Sequence, residues 1–198
     1  MIKSILRNTI GFMALFFISI SAFAVPITYT YEGTGSGSLS LGHLKFASSS
    51  FTITALADTG NIAPWPSADI QNTHLGTTID IAGLGMFTIT TPSHTWIAEG
   101  CCGGLGEDLA ANWITINESA FVNVGYGLDT NLGPVLDASP SHVSQFVGVA
   151  TTGGILSFSS ISEVSFIAAV AAVPEPATLA LIGAGLAGLG FSRRRKNA

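Results

Sequence analysis

Positive charge is nearly absent from the middle of this 198-residue chain. Lys45 is the only lysine or arginine between residues 25 and 172, while the same stretch carries eleven acids. The other basic residues stand at the two ends: Lys3, Arg7, Arg193, Arg194, Arg195 and Lys196. Proteins bind the phosphate backbone of nucleic acids through lysine and arginine side chains. This composition therefore excludes nucleic-acid binding as a function.

Cysteine is scarce, and the two cysteines are neighbours, Cys101 and Cys102. There is no C-x-x-C pair, no H-E-x-x-H and no G-x-S-x-G, so no familiar catalytic motif is present. Outside the cytoplasm, thiols tend to oxidise. The Cα atoms of two adjacent residues lie closer together than the Cα atoms of most disulfide-bonded cysteines. Flanking glycines nevertheless help the backbone to accept a vicinal disulfide. A vicinal disulfide, a reduced pair and an intermolecular bond therefore remain open.

The N-terminus, residues 1–24, has the pattern of a secretory signal peptide. A basic start is followed by an apolar run over 10–20 and by small residues at Ala22 and Ala24. These small residues stand where a signal peptidase requires them, so cleavage after Ala24 is predicted. The mature chain would then begin at Val25, outside the cytoplasm.

The C-terminal glycines Gly183, Gly185 and Gly188 have the spacing of a dinucleotide fingerprint, but a strand–helix–strand unit does not fit around them. Residues 177–191 carry no charge and predict a short membrane helix. The basic residues 193–196 follow at once and place the C-terminus in the cytoplasm. Before the helix, the prolines of Val173-Pro174-Glu175-Pro176 favour an extended, accessible peptide.

Residues 173–196 resemble the PEP-CTERM sorting signal of Gram-negative bacteria. Val-Pro-Glu-Pro, a short Gly/Ala/Leu helix and an arginine cluster stand in the order of that signal. The resemblance implies recognition by an exosortase, a membrane protease-transpeptidase. It identifies Val173, Pro174, Glu175 and Pro176 as the sorting motif, 177–191 as a transient membrane anchor, and Arg193, Arg194, Arg195 and Lys196 as the basic stop. It also implies release to the cell surface or to an exopolysaccharide matrix.

The stretch between these signals, residues 25–172, is predicted to be one all-β ectodomain. Period-2 alternation predicts strands at "ITYTYEG", "SFTITALA", "TIDIAG", "MFTITT", "NWITIN", "AFVNVGY", "QFVGVA" and "ILSFSS". The Gly/Ser stretch "YEGTGSGSLSLG" is either a flexible linker or a hairpin strand with small residues on its exposed face. The strand is favoured because Leu39 and Leu41 alternate with serine. Turns are predicted at "ADTGN", "WPSAD", "GCCGG", "DTNLGP" and "ASPS". The expected architecture is an antiparallel β-sandwich of eight to ten strands, or a jelly-roll-like barrel. The three predicted segments are 1–24, 25–172 and 173–198.

Candidate metal ligands are sparse. Asp129, Asn131 and Asp58 lie in turn-like sequences and are candidate calcium ligands, although the closing glutamate of an EF-hand is missing. His74 with Asp80 or His94 with Glu99 could form a metal pair, but tight zinc-ligand spacing is absent. The four histidines, with His43 and His142, are far apart in the sequence. No other cofactor is expected.

Three classes of function remain for the ectodomain. A structural or adhesive role in exopolysaccharide or biofilm is favoured, and no enzymatic activity is expected. A carbohydrate-binding module is the alternative, with six aromatics that either stack on sugars or fill the core: Trp65, Trp96, Trp113, Tyr29, Tyr31 and Tyr126. A glycosidase would need two facing carboxylates. An exposed aromatic row, a deep pocket with two acids, or a flat Ser/Thr face would distinguish these classes. Signal peptidase and exosortase are the expected processing partners.

Overall fold

The computed structural model describes residues 24–65, 68–98, 100–107, 111–117 and 125–172, with single residues 121, 183 and 185. Ala22, the sorting motif 173–176 and the basic residues 193–196 lie outside the described residues, as does the predicted membrane helix apart from Gly183 and Gly185, which are helical. No helix in the described part combines the length and the apolarity needed to span a membrane.

Within these described residues, ten antiparallel strands form one continuous sheet, which confirms the all-β prediction. In chain order they are β1 (Pro26–Leu39), β2 (Leu44–Trp65), β3 (Ala68–Ile81), β4 (Gly85–Ile89), β5 (Ser93–Ala98), β6 (Cys102–Glu107), β7 (Asn112–Ile116), β8 (Leu132–Asp137), β9 (Val149–Thr151) and β10 (Gly154–Val170). Two short 3-10 turns cover Leu41–His43 and Val143–Gln145.

The sheet closes on itself. Each neighbouring pair in the ring β1–β2–β3–β4–β9–β10 is hydrogen-bonded, and β10 returns to β1. Beyond the ring, β5, β6 and β7 extend from the first half of β3, and β8 pairs with β10. Thr115 on β7 bridges to Ser141, just after β8. The strands are therefore not divided into two separate sheets, which is how the architecture differs from a simple sandwich.

Alternation along β1 shows why the sheet curls around a core. Ile27, Tyr29 and Tyr31 are fully buried, while Thr28 and Thr30 between them are only partly buried. Two clusters of aromatic rings lie in this core, around Phe166 and Phe158. Tyr29 and Tyr31 pack on Phe166, with ring centroids 6.0 and 5.1 Å away. Phe158 contacts three further rings, Phe46, Phe51 and Phe146.

The Gly/Ser stretch of β1 is a strand, as predicted, but its glycines face inward rather than outward. A Cβ at Gly33 would stand 2.9 Å from Phe51 Cζ, and one at Gly37 would stand 2.7 Å from Phe46 Cζ. The phenylalanine rings therefore pack directly on the backbone of β1, where any side chain would overlap them.

Several local predictions were wrong or only partly right, and three of them are instructive. "ADTGN", expected to be a turn, lies inside β2. The pairing of β2 with β3 shifts its register at this point. "GCCGG" is a turn only at its start, because β6 begins at Cys102. In the predicted strand "AFVNVGY", Phe121 is helical and Gly125 lies in a turn. In the first two cases the pairing partner, and not the local composition, decides the conformation.

Replacing Gly33 with alanine is expected to destabilise the fold by about 1–3 kcal/mol, because the new methyl would overlap Phe51 and the Glu163 carbonyl. Gly76→Ala is the matched control. Gly76 also lies in a strand but has open space around its Cβ position, so a change within about 0.5 kcal/mol is expected. Urea unfolding of both variants checks this, and equal losses would contradict the inward-facing role of Gly33.

Candidate functional site

The interior of the closed sheet contains a chain of hydrogen-bonded polar side chains. The Tyr29 hydroxyl donates to the Leu128 carbonyl (2.7 Å) and accepts from Asn72 Nδ2 (2.8 Å). The Tyr31 hydroxyl donates to the Gly104 carbonyl (3.0 Å) and lies 2.9 Å from Thr95 Oγ1. β1 is thereby joined through its own side chains to β3, β6 and the loop before β8, across the width of the core.

His74 continues this network from β3. Its Nε2 lies 2.9 Å from Thr95 Oγ1, and its Nδ1 lies 2.9 Å from Ser93 Oγ. Thr77 Oγ1 contacts Ser93 Oγ at 2.8 Å and His74 Nδ1 at 3.2 Å. Burial of the ring, helped by nearby His94, lowers the pKa of His74 to about 3. The imidazole is therefore neutral at neutral pH. Its two ring nitrogens link β3 to β5 by hydrogen bonds.

The tyrosine hydroxyls in this region stay protonated. Burial raises the pKa of Tyr29, Tyr31 and Tyr126 well above the ordinary value, and the charge of Asp129 adds to the shift at Tyr29 and Tyr126. Ser93 beside His74 is only 3% exposed. The arrangement holds strands together, with Ser93 in the closed interior and His74 partly buried beside it.

The outer face of the same strands carries a row of threonines. Thr30 on β1 is directly opposite Thr54 on β2, Thr54 is opposite Thr78 on β3, and Thr78 is opposite Thr88 on β4. Thr88 is exposed, and the other three threonines are partly exposed. We call them the threonine row. Neighbouring strands lie about 4.8 Å apart, so the row is an ordered line of hydroxyl groups.

Carboxylates border the threonine row. Thr52 on β2 is paired with Glu32 on β1 and with Asp80 on β3, and both carboxylate residues are exposed. Glu32 and Glu163 also line a shallow groove of about 270 Å³ beside β8. The sheet face is thus rich in hydroxyls and negative charge.

The candidate sugar-stacking aromatics lie mostly inside. Trp96, Trp113, Tyr29, Tyr31 and Tyr126 are at most 5% exposed. Trp65 alone among the six is partly exposed, with its ring 4.6 Å from His94 and 6.0 Å from Trp96. The described residues therefore present no row of exposed tryptophan and tyrosine.

Cys101 and Cys102 are joined in a disulfide in the turn between β5 and β6. The Cys101 N–H donates to the Ala98 carbonyl (3.2 Å), and Cys102 pairs with Ala98 in the ladder. Cys101 is exposed, whereas Cys102 is buried. The disulfide stiffens the tip of this hairpin.

The candidate calcium ligands lie at one end of the sheet, but two of them already accept backbone N–H groups. Asp58 Oδ1 accepts from Gly60 (2.7 Å), and Asn131 Oδ1 accepts from Val170 (2.7 Å). Asp129 and Asn131 line an open cavity of about 450 Å³ with Tyr126. Across the described ranges, no group of three or more His, Cys, Asp or Glu side chains is arranged to hold a metal ion.

His74 and Asp80 do not form the suggested metal pair, because His74 is hydrogen-bonded to Ser93 and Asp80 is exposed. Glu99 lies outside the described residues.

The two ends of the ectodomain meet at this same end of the sheet. Ile27 pairs with Val170, and the Ala171 N–H donates to the Pro26 carbonyl (2.9 Å). On the other side of β1, Val25 and Thr59 exchange two hydrogen bonds of 3.0 Å. Ala24, the last residue of the predicted signal peptide, is exposed.

Comparison with known proteins bears on the segment that leaves this end. Residues 172–196 match the family model of the PEP-CTERM protein-sorting motif. The chain carries a PEP-CTERM sorting signal. No curated protein and no solved structure matches the chain.

The PEP-CTERM motif implies export, processing by an exosortase and sorting to the cell surface. It begins at Ala172, one residue beyond the last hydrogen bond between β10 and β1. The sorting signal therefore starts where the folded sheet ends.

The low pKa of His74 predicts a loss of stability in mild acid. The unfolded chain takes up the proton near the ordinary pKa of 6.5, whereas the folded chain does so only near 3. Stability is therefore full above the higher value and falls as pH decreases, by up to about 1.4 kcal/mol per pH unit.

Urea unfolding of the mature protein between about pH 6.5 and pH 5 tests this slope. His74→Gln should be less stable at neutral pH but should show a shallower slope. His142→Gln removes an exposed histidine and serves as the control for the substitution itself. An unchanged slope in His74→Gln would show that the proton uptake occurs elsewhere.

The Cys101–Cys102 disulfide predicts that no thiol is available in the native protein. Iodoacetamide should leave the intact mass unchanged before reduction and should add two groups after reduction under denaturing conditions. Labelling of unreduced protein would contradict the disulfide. A disulfide-linked dimer on a non-reducing gel would show that the bond is intermolecular.

Proposed function

We propose that residues 25–172 form a structural or adhesive component of the extracellular polysaccharide matrix, delivered there by exosortase processing. The sorting motif supports delivery to the surface. The threonine row carries the proposal for the ectodomain, since it presents a regular line of hydroxyls on adjacent strands. Such a face forms many weak, parallel hydrogen bonds with an extended polyhydroxylated chain, directly or through water.

The buried polar network supports the same role. A face binds as a unit only when its strands keep their register, and the bonds of Tyr29, Tyr31 and His74 tie the strands behind the row together. The proposal gives the ectodomain no catalytic role. Polysaccharide binding in this form relies on hydroxyls and carboxylates, and not on aromatic stacking, because the tryptophans and tyrosines point mainly inward.

Blocking the threonine row should release the protein from the matrix. Thr54→Tyr places a bulky ring in the middle of the row, and we expect matrix-bound protein to fall by roughly threefold or more, since several parallel contacts are lost together. Ala47→Tyr, at an exposed position on the same strand, is the control and should retain binding.

The measurement is the fraction of processed protein that sediments with purified exopolysaccharide. Intact mass of each variant separates contact from sorting, because a protein that starts at Val25 and lacks the C-terminal tail has been processed. Unchanged sedimentation of processed Thr54→Tyr would contradict the role of the row.

A further inference from the structure

The ectodomain has two well-separated ends. The proximal end comprises Val25–Pro26, 58–61, 129–132 and 170–172, joined by the hydrogen bonds described above. The distal end comprises 41–45, Met86 and 153–155, joined by bonds such as Ser40 N–H to the Ile155 carbonyl (2.9 Å). β1 runs from one end to the other over 14 residues, or about 45 Å measured along the strand.

The sorting motif has very little free chain between it and the proximal end. Ala171 donates its N–H to Pro26, and only Ala172 and Val173 separate it from Pro174. Three residue steps span at most about 10 Å. An enzyme that holds Pro174–Pro176 in its active site is therefore brought against the ectodomain.

Withdrawal of more chain from the sheet would be costly. β10 is paired on one side with β1 and on the other with β8, down to the Ala168–Leu132 pair. Freeing its last residues would break the bonds of Val170 to Asn131 and of Ala171 to Pro26. Contact between the enzyme and the intact proximal end therefore costs less free energy than unpairing the end of β10.

We propose that the proximal end is the surface against which the exosortase docks while it processes the sorting motif. Charge and shape indicate the chemistry of the partner surface. Asp58 and Asp129 give this end negative charge, while Lys45, the only lysine or arginine of residues 25–172, lies at the distal end. The open cavity lined by Tyr126, Asp129 and Asn131 provides a recess for a protruding side chain.

The docking surface of the enzyme is accordingly basic or rich in hydrogen-bond donors. The bilayer itself fits this end less well, because anionic headgroups repel the carboxylates. This inference rests on the sorting motif and not on the matrix role, so the two can fail separately.

Site-specific photo-crosslinking in the full-length chain tests the contact in cells that contain the exosortase. A photo-crosslinking amino acid at Asn61, exposed at the proximal end, should capture the enzyme. The same group at Met86, 70% exposed at the distal end, should not. Equal capture from both positions, or capture from Met86 alone, would overturn the proposal.

Charge reversal tests whether the contact assists processing. Asp129→Lys should slow removal of the C-terminal tail by roughly threefold or more, measured by pulse-chase and intact mass. Asp80→Lys is the matched control, with the same change in charge at an exposed position on the sheet face, and should be processed at the wild-type rate.

A Gly/Ser spacer of about twelve residues between Ala172 and Val173 completes the test. The spacer frees the enzyme from the proximal end, so Asp129→Lys and wild type should then be processed at equal rates. Wild-type processing of Asp129→Lys without the spacer would overturn the proposal. Slow processing of Asp129→Lys with the spacer would also overturn it, because the defect would not arise at the contact.

Discussion

The pairing of β1 with β10 is the interaction on which the rest of the structure depends. It joins the first and last strands along most of their length and closes the ring of six strands. Closure leaves these strands without a free edge along the shared length, which removes a common route to aggregation. It also fixes the inward face of β1, so that Tyr29 and Tyr31 reach across the core to distant backbone carbonyls.

Packing and polarity are divided between the two faces of the ring. Inside, phenylalanines pack on a glycine-bearing stretch of β1, and tyrosine hydroxyls are satisfied by carbonyl, amide and hydroxyl groups. Outside, threonine and carboxylate side chains face water. The proposed matrix role uses the outer face, and its regularity comes from bonds made on the inner face.

Sequence patterns predicted the strands where both faces obey the alternation, as in Ile27–Tyr31 and Phe51–Ala55. They failed where register depends on a distant partner. Asn72 and His74 stand in the polar run "QNTHLGTT", which has no alternation, yet they point inward because β3 shifts its register against β2 near His74. The glycines of β1 were likewise assigned to the wrong face, since only the fold brings Phe51 and Phe46 onto them. The sorting signal could be predicted from the sequence because its parts are contiguous in the chain and need no distant partner.

The long separation between β1 and β10 has a consequence for the timing of secretion. Contacts such as Ile27 with Val170 cannot form until almost the whole ectodomain has crossed the membrane. Pairings this distant in sequence are slow to form, because a large loop must close first. The sorting signal follows β10 directly, so it emerges from the export channel just as the last strand becomes free to pair. Closing the ring and presenting the sorting signal for processing therefore both depend on the last residues of the chain.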